Sequence, residues 1–271
     1  MNVYYLGPKG SYSEILAQKE FVNQTLIPVE SFENVVEKVL NNEDAVGILG
    51  IENSTSSSVH TNVDLIFNND LSIVGEATMN IRLHLIGKKG AKMGEITHVY
   101  SHTQALAQCT DFICDKKLTA HSIESTTAAV AFISQKRDVH IAAIASSQSI
   151  KSGQEILQKN IANQQNNMTR WVFVSSSSKM ENAEADKITV IFTVKHEPGS
   201  LVRVLQKLAD ANGNLTRIES RPVPGADWEY QFWIDVEIPL RTQELFVKIL
   251  KEETDSYRIV GAYRRGTFYT N

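Results

Sequence analysis

Short β-prone runs and segments of helical period alternate from the first residues of this chain. That alternation restricts the fold more than any other feature. "NVYYL" (2–6) reads as a strand closed by "GPKG" (7–10), and a helix follows from Ser13 to Phe21. "TLIPV" (25–29) is a second strand. Ser31 then caps a helix through Leu40, with Phe32, Val35, Val36, Val39 and Leu40 at helical spacing. "AVGILGI" (45–51) is a continuous apolar run, as in a strand buried on both faces. "VHTNVDLIF" (59–67) is helical, and "LSIVGEATMNIRLHLIG" (71–87) is a long extended segment that crosses into a new unit.

The second unit repeats the pattern. "ITHVYS" (96–101) is a strand, "TQALAQCTDFI" (103–113) a helix and "LTAHSI" (118–123) extended. Ser125 or Thr126 caps "TAAVAFISQ", "VHIAAIA" (139–145) is a buried strand, and "SSQSIKS" (146–152) starts another helix. Alternation of this kind builds α/β layers around largely parallel sheets. A polar stretch, Asn160 to Asn167, leads back to "RWVFV" (170–174), so the expectation is two lobes, 1–75 with 160–176 and 76–159, facing each other across a cleft. Residues 177–186 lack apolar periodicity and read as a linker. From 187 to 271 the order changes to βαββαβ, a small ferredoxin-like domain.

Composition narrows the function classes. Net charge is −4 and no basic block stands out, so nucleic acid is not an implied partner. No apolar run is long enough to span a bilayer, so no membrane partner is implied. "MNVYYLGPKG" lacks the regions of a signal peptide, and a cytoplasmic protein is expected. Cys109 and Cys114 sit five apart in one expected helix, without further Cys or His at ligand spacing, and read as two reduced thiols. The turn Gly7–Gly10 has neither dinucleotide-fingerprint nor P-loop spacing.

Several polar pieces nevertheless accumulate in a fixed order. They are "GPKGSYSE" (7–14), "GIENS" (50–54), "VGEATMNIRLHLIG" (74–87), "YSHTQALAQC" (100–109), "STTAAV" (125–130) and "NMTRW" (167–171). The small domain adds "EPGSLVRVL" (197–205) and "IESRP" (218–222). This ordered set resembles the prephenate dehydratases that carry a C-terminal ACT regulatory domain. The resemblance covers nearly the whole chain. It implies a two-lobed, periplasmic-binding-protein-like catalytic domain and conversion of prephenate to phenylpyruvate with loss of carbon dioxide and water, on the route to phenylalanine. It also implies paired ACT domains that bind L-phenylalanine as feedback inhibitor, a homodimer or homotetramer, and no metal or organic cofactor. The chain departs from the family pattern at Ser56, Ser57, Thr103, Ala128, Asn163, Trp171 and Ser200.

The resemblance assigns catalytic roles to Thr169, Asn53, Gln104, Glu52 and Arg170. Thr169 matches the family's essential threonine and would hydrogen-bond the departing hydroxyl. Arg170 could clamp a carboxylate in bidentate fashion. Asn53 and Gln104 offer fixed amide donors, and Glu52 either supports its loop or acts as an acid. Ser11, Ser54, Ser101, Ser125 and Thr126 are the expected substrate contacts. The effector site would comprise Gly199, Ser200, Leu201, Val202, Asn214, Leu215, Glu219 and Arg221, with backbone amides at the Gly199 helix start for a carboxylate and Glu219 for an amino group.

Structural readings stand beside these. Asn53, Ser54, Ser11, Ser13 and Ser125 could be helix caps. Gln104 could be an exposed first-turn residue, and Arg170 could pair with a structural carboxylate. Glu219 and Arg221 could form a cross-strand ion pair, and His102 is more simply structural than catalytic. Arogenate as substrate, decarboxylation without dehydration, or an amino acid sensor without turnover are the alternative functions.

Overall fold

Residues 1–55, 57–176, 184–223, 225 and 229–270 are described by the computed structural model, with the Ser57 side chain excepted. The first lobe runs β1 (Asn2–Leu6), α1 (Tyr12–Glu20), β2 (Thr25–Val29), α2 (Phe32–Leu40), β3 (Ala45–Asn53), β4 (Ser57–Ser58), α3 (His60–Asn68) and β5 (Ser72–Asn80). The second runs β6 (His84–Lys88), β7 (His98–Ser101), α4 (Thr103–Ala107), α5 (Thr110–Asp115), β8 (Thr119–Ser122), α6 (Thr126–Gln135), β9 (Ile141–Ala145) and β10 (Gln154–Gln158). The chain then returns along β11 (Met168–Ser175). It ends with β12 (Lys187–Thr193), α7 (Ser200–Asp210), β13 (Asn214–Pro222), β14 (Tyr230–Glu237), α8 (Gln243–Glu253), β15 (Ser256–Tyr263) and β16 (Thr267–Tyr269).

Among the described residues these strands form three sheets, ordered β16-β5-β11-β3-β1-β2 with β4 on β3, then β10-β6-β9-β7-β8, then β13-β14-β12-β15. β1 pairs parallel with β2 and β3, whereas β11 enters antiparallel between β3 and β5. Thr169 thereby lies opposite Asn53 on one side and Met79 on the other. The continuous apolar run of β3 is explained by burial on both faces: Ile48 packs with Val3, Tyr5 and Trp171, and Leu49 with Val35, Val63 and Val172.

Several sequence expectations are corrected. The segment 71–87 is not one extended piece: it breaks at 81–83, where the chain crosses between lobes. Because β5 remains in the first sheet to Asn80, that lobe extends past residue 75. "TQALAQCTDFI" is two short helices, with Cys109 buried at the N-cap of α5 and Cys114 exposed. "SSQSIKS" makes only a 3₁₀ turn, Ser147–Ser149, before β10, a strand the sequence reading lacked. β16 was also missed, and it joins the first sheet rather than the small domain. Most of the expected linker, 177–183, lies outside the described residues, as does Ser56.

The small domain docks on the first lobe through the sheet face not covered by its helices. Ile191, Trp233, Val260 and Tyr263 share one apolar cluster with Ile73, Val172 and Val174 of β5 and β11. Burying each such side chain stabilises the assembly by about 1.5–3 kcal/mol. The approach is close: a Cβ added to Gly261 would lie 2.2 Å from the Ile73 carbonyl oxygen, so only glycine fits there.

Candidate active site

Thr169, Asn53 and Trp171 line a cavity of about 430 Å³ between the two lobes, together with Gln104, Gln108 and Asn167. Strand alternation decides which residues of β11 reach it. Thr169 and Trp171 point to the cavity, and Arg170 between them points to the other face. Gly50, opposite Trp171 in β3, leaves room for the indole, since a Cβ there would come within 3.3 Å of its nitrogen.

A closed ring of hydrogen bonds supports the cavity wall. Gln108 Nε2 donates to Thr55 Oγ1 (2.8 Å), and Thr55 Oγ1 donates to Asn53 Oδ1 (2.7 Å). Asn53 Nδ2 donates to Asn167 Oδ1 (2.7 Å), and Asn167 Nδ2 donates back to Gln108 Oε1 (3.0 Å). The Thr55 amide donates to Asn53 Oδ1 (3.0 Å) and Asn53 Nδ2 donates to the Met168 carbonyl (3.1 Å), which fixes the Asn53 amide and with it the sense of the circuit. Asn53 Nδ2 also lies 2.9 Å from Thr169 Oγ1, to which it donates. With its oxygen accepting there, the Thr169 hydroxyl directs its own proton elsewhere.

The N-termini of α1 and α6 meet the same cavity from opposite lobes. Ser11 accepts from the Glu14 amide and Ser125 from the Ala128 amide, so both serines are caps, as the structural reading had it. Tyr12, Ser13, Thr126 and Thr127, in the first turns of these helices, line the cavity, as does Glu124; helix dipoles favour negative charge at such ends. Among the described residues, no Lys or Arg side chain lines this cavity.

Behind the strand lies a different environment. Arg170 Nε donates to Glu76 Oε2 (2.7 Å) and Nη1 to Asp235 Oδ2 (2.5 Å). Lys187 Nζ donates to both Glu76 oxygens at 2.9 and 3.0 Å. Thr189 and Trp233 donate to Asp235 Oδ1 at 2.7 and 2.9 Å. Burial opposes ionisation of Asp235, but Arg170, Arg217 and Lys187 outweigh it and hold its pKa below the ordinary carboxylate range. Burial also opposes the charge on Arg170, and Asp235, Tyr263 and Glu76 more than restore it.

The family comparisons agree with this architecture. The prephenate dehydratase family profile matches residues 3–179, and the ACT domain profile matches 188–250. The chain belongs to the prephenate dehydratase family. It is 35% identical over 270 residues to the prephenate dehydratase of Methanocaldococcus jannaschii, covering 96% of this chain and 97% of that one. Identity to arogenate dehydratase 2 of Petunia hybrida is 31%, covering 97% of this chain and 70% of that one. The crystal structure of prephenate dehydratase in complex with L-Phe from Arthrobacter aurescens is 26% identical, with a TM-score of 0.85 over 98% of this chain and 90% of that one.

Within this prephenate dehydratase fold, Thr169, Asn53, Gln104, Ser11, Ser125 and Thr126 are brought together at the cleft. Four other expected contacts are not. Arg170 is no cleft clamp, because its guanidinium is taken up by Glu76 and Asp235. Glu52 sits on that same face, 3.5 Å from Arg170. Ser101 is fully buried and donates to the Ile144 carbonyl at 2.6 Å. Ser54 is held between the Asn166 carbonyl and the Met168 amide, fastening β11 to the end of β3.

Sequence reasoning missed Gln108, Asn167 and Thr55. Gln108 stands four residues after Gln104, hence on the same helical face, and that spacing was the available signal. His102 caps α4 by accepting from the Gln104 amide through Nδ1 (3.2 Å) and also lines the cleft. Burial raises the Cys109 thiol pKa to about 12, which leaves it inert.

In the ACT domain, Gly199, Ser200, Leu201 and Val202 border a cavity of about 560 Å³ at the start of α7. Gly199 adopts φ +84°, a conformation that favours glycine. Glu219 does not line that cavity. It accepts from Ser58 Oγ (2.7 Å) and Arg217 (2.7 Å) and lies 3.1 Å from His60, facing the first lobe. Arg221 likewise pairs with Asp64 of α3. Asn214 donates to Glu237 (3.1 Å), and Leu215 is exposed on the edge strand β13. Among the described residues, no cluster of three or more His, Cys, Asp or Glu could hold a metal, and no helix is long and apolar enough to cross a membrane.

Proposed function

We propose that the cleft converts prephenate to phenylpyruvate, carbon dioxide and water, and that phenylalanine inhibits this through the ACT domain. One observation carries the reading: the Thr169 hydroxyl, oriented by Asn53, faces the cavity between the two lobes. Prephenate carries two carboxylates and a ring hydroxyl. Cleavage of the ring–carboxylate bond releases carbon dioxide and leaves its electron pair in the ring. That pair expels the hydroxyl on the far side, and the ring becomes aromatic. The protein therefore has to orient a dianion, exclude competing water and assist a departing hydroxyl.

The amide ends of α1 and α6 take the carboxylates, in place of a cationic side chain. Asn53, Gln104 and Gln108 fix orientation and answer the charge that moves across the ring. Thr169 donates a hydrogen bond to the departing oxygen. It does not surrender its proton, because a threonine hydroxyl is far too weak an acid near neutrality; the oxygen leaves as hydroxide and takes from solvent the proton that makes it water. The Glu52 and Arg170 carboxylate and guanidinium act from the far face, in support of the strand ends that carry Asn53 and Thr169.

The effector reading rests on the cavity beside Gly199. Its helix start suits a carboxylate, and Glu197, Glu229 and Asp255 border the same space where an amino group would sit. Assembly as a homodimer or homotetramer fits the open edge of β13, where Leu215 and Ile218 are exposed. The decisive experiment incubates purified protein with prephenate and identifies products by mass, with and without phenylalanine. Phenylpyruvate appearing at a rate that phenylalanine lowers is expected. Absence of phenylpyruvate from folded protein would sink the reading, and turnover of arogenate to phenylalanine alone would reassign the substrate.

A further inference from the structure

The buried charges behind Arg170 join two domains. Arg170 and Glu76 come from β11 and β5 of the first lobe, whereas Lys187, Thr189, Asp235 and Tyr263 come from the ACT domain. Two acids and two bases are buried together: Glu76, Asp235, Arg170 and Lys187. The cluster touches the catalytic strand at one peptide's distance from Thr169. It also sits at an irregularity, since the register of β11 against β3 shifts between Arg170 and Trp171. Such shifts re-aim side chains and need support from their surroundings. Arg170 also lies opposite Glu52, the neighbour of Asn53. Both halves of the Asn53–Thr169 pair thus have a flanking residue on the far face of the sheet, and Arg170 ties them to the ACT domain.

We infer that Asp235 of the ACT domain is a positioning residue for the reaction, acting through Arg170 to hold Thr169 at the cleft. This inference rests on the reading of the cleft as the dehydratase site. Asp235 is suited to the part. Its Oδ1 is fixed by Thr189 and Trp233, so its Oδ2 presents a rigid anion to Arg170 Nη1. Tyr263, 2.8 Å from Thr189 and 3.4 Å from Arg170, closes the far side. A guanidinium held from two directions in a buried site cannot swing without leaving charge unpaired. A displacement of the ACT domain would therefore be felt at Thr169 even though the two are on opposite faces of the sheet.

The test compares Asp235→Asn with wild type, without effector, in steady-state prephenate turnover. The amide keeps the size of the side chain and an acceptor for Thr189 and Trp233. It replaces the anion facing Arg170. We expect kcat to fall by about ten-fold or more while KM stays within about two-fold, because orientation rather than binding is lost. Arg258→Gln is the control. Arg258 donates to the Ile66, Phe67 and Asn69 carbonyls, an interdomain contact remote from the cluster. It should lower Tm and leave kcat unchanged. An unchanged kcat in Asp235→Asn overturns the inference, as does an equal fall in both variants, which would report loose docking alone. Should Asp235→Asn not fold, Arg170→Lys carries the same comparison, since it keeps the charge and loses the two-directional grip. Wild-type protein that does not turn over prephenate fails the functional reading instead, and that failure is seen before any variant is assayed.

Discussion

Asn167 Nδ2 donates to Gln108 Oε1 at 3.0 Å, joining the return strand to the second lobe. The bond closes the ring that orients Asn53, and so the relative position of the lobes is tied to the direction of the Thr169 hydroxyl. Gln108→Leu removes this link and leaves Asn167 and Thr55 each short of a partner. Each unmet buried group costs about 1–3 kcal/mol. We expect kcat to fall by about ten-fold or more with a lowered Tm, read by steady-state assay and thermal unfolding. A variant with full turnover would show that the ring is ornamental to catalysis.

Thr169 separates hydroxyl chemistry from shape. Thr169→Val keeps the branched side chain in β11 and removes the donor. Turnover should drop by about 10²–10³-fold, the scale for loss of one donor aimed at developing charge. Thr169→Ser should retain most of it. Equal rates in the Val variant and wild type would remove Thr169 from the mechanism.

Gly261 tests how tightly the domains meet. Gly261→Ala places a methyl 2.2 Å from the Ile73 carbonyl oxygen, and backbone must give way. Overpacking of this kind costs about 1–3 kcal/mol, so unfolding should occur at lower temperature or denaturant. An unaltered midpoint would mean that the interface tolerates separation.

Acid should loosen the same interface. Burial opposes the charge of Glu219, yet Ser58, Arg217 and His60 hold its pKa below the ordinary value, and Asp235 shifts the same way. A depressed folded pKa means that the unfolded chain takes up the proton first. The stability from these carboxylates is therefore complete above about pH 4.5 and is lost as pH falls through the folded values. Calorimetric Tm should drop steeply on that descent, and Glu219→Gln should start lower but fall less. A Tm–pH slope identical in the two proteins would remove Glu219 from the acid response.

Much of this was legible in the chain. The helix caps at Ser11, Ser31 and Ser125 and the apolar run of β3 follow from local rules that tertiary contacts reinforce. Thr169 and Asn53 were found through the motifs that carry them. Arg170 was misread because a sequence does not say which face of a strand meets the ligand when both faces are buried. The contacts of Glu219 were not legible for a related reason: its partners Ser58 and His60 lie in another domain, some 160 residues away. β16 escaped notice because three residues carry no periodicity, and only the waiting edge of β5 makes them a strand.

That short strand has a mechanical consequence. The ACT domain leaves the first lobe after β11 and returns to it at β16, so it is pinned at two points that flank β5. The line between the two joins spans β5, which carries Glu76, from its neighbour β11, which carries Arg170. Together with the apolar face and the buried ion pairs, these joins make the first sheet and the ACT domain share one support.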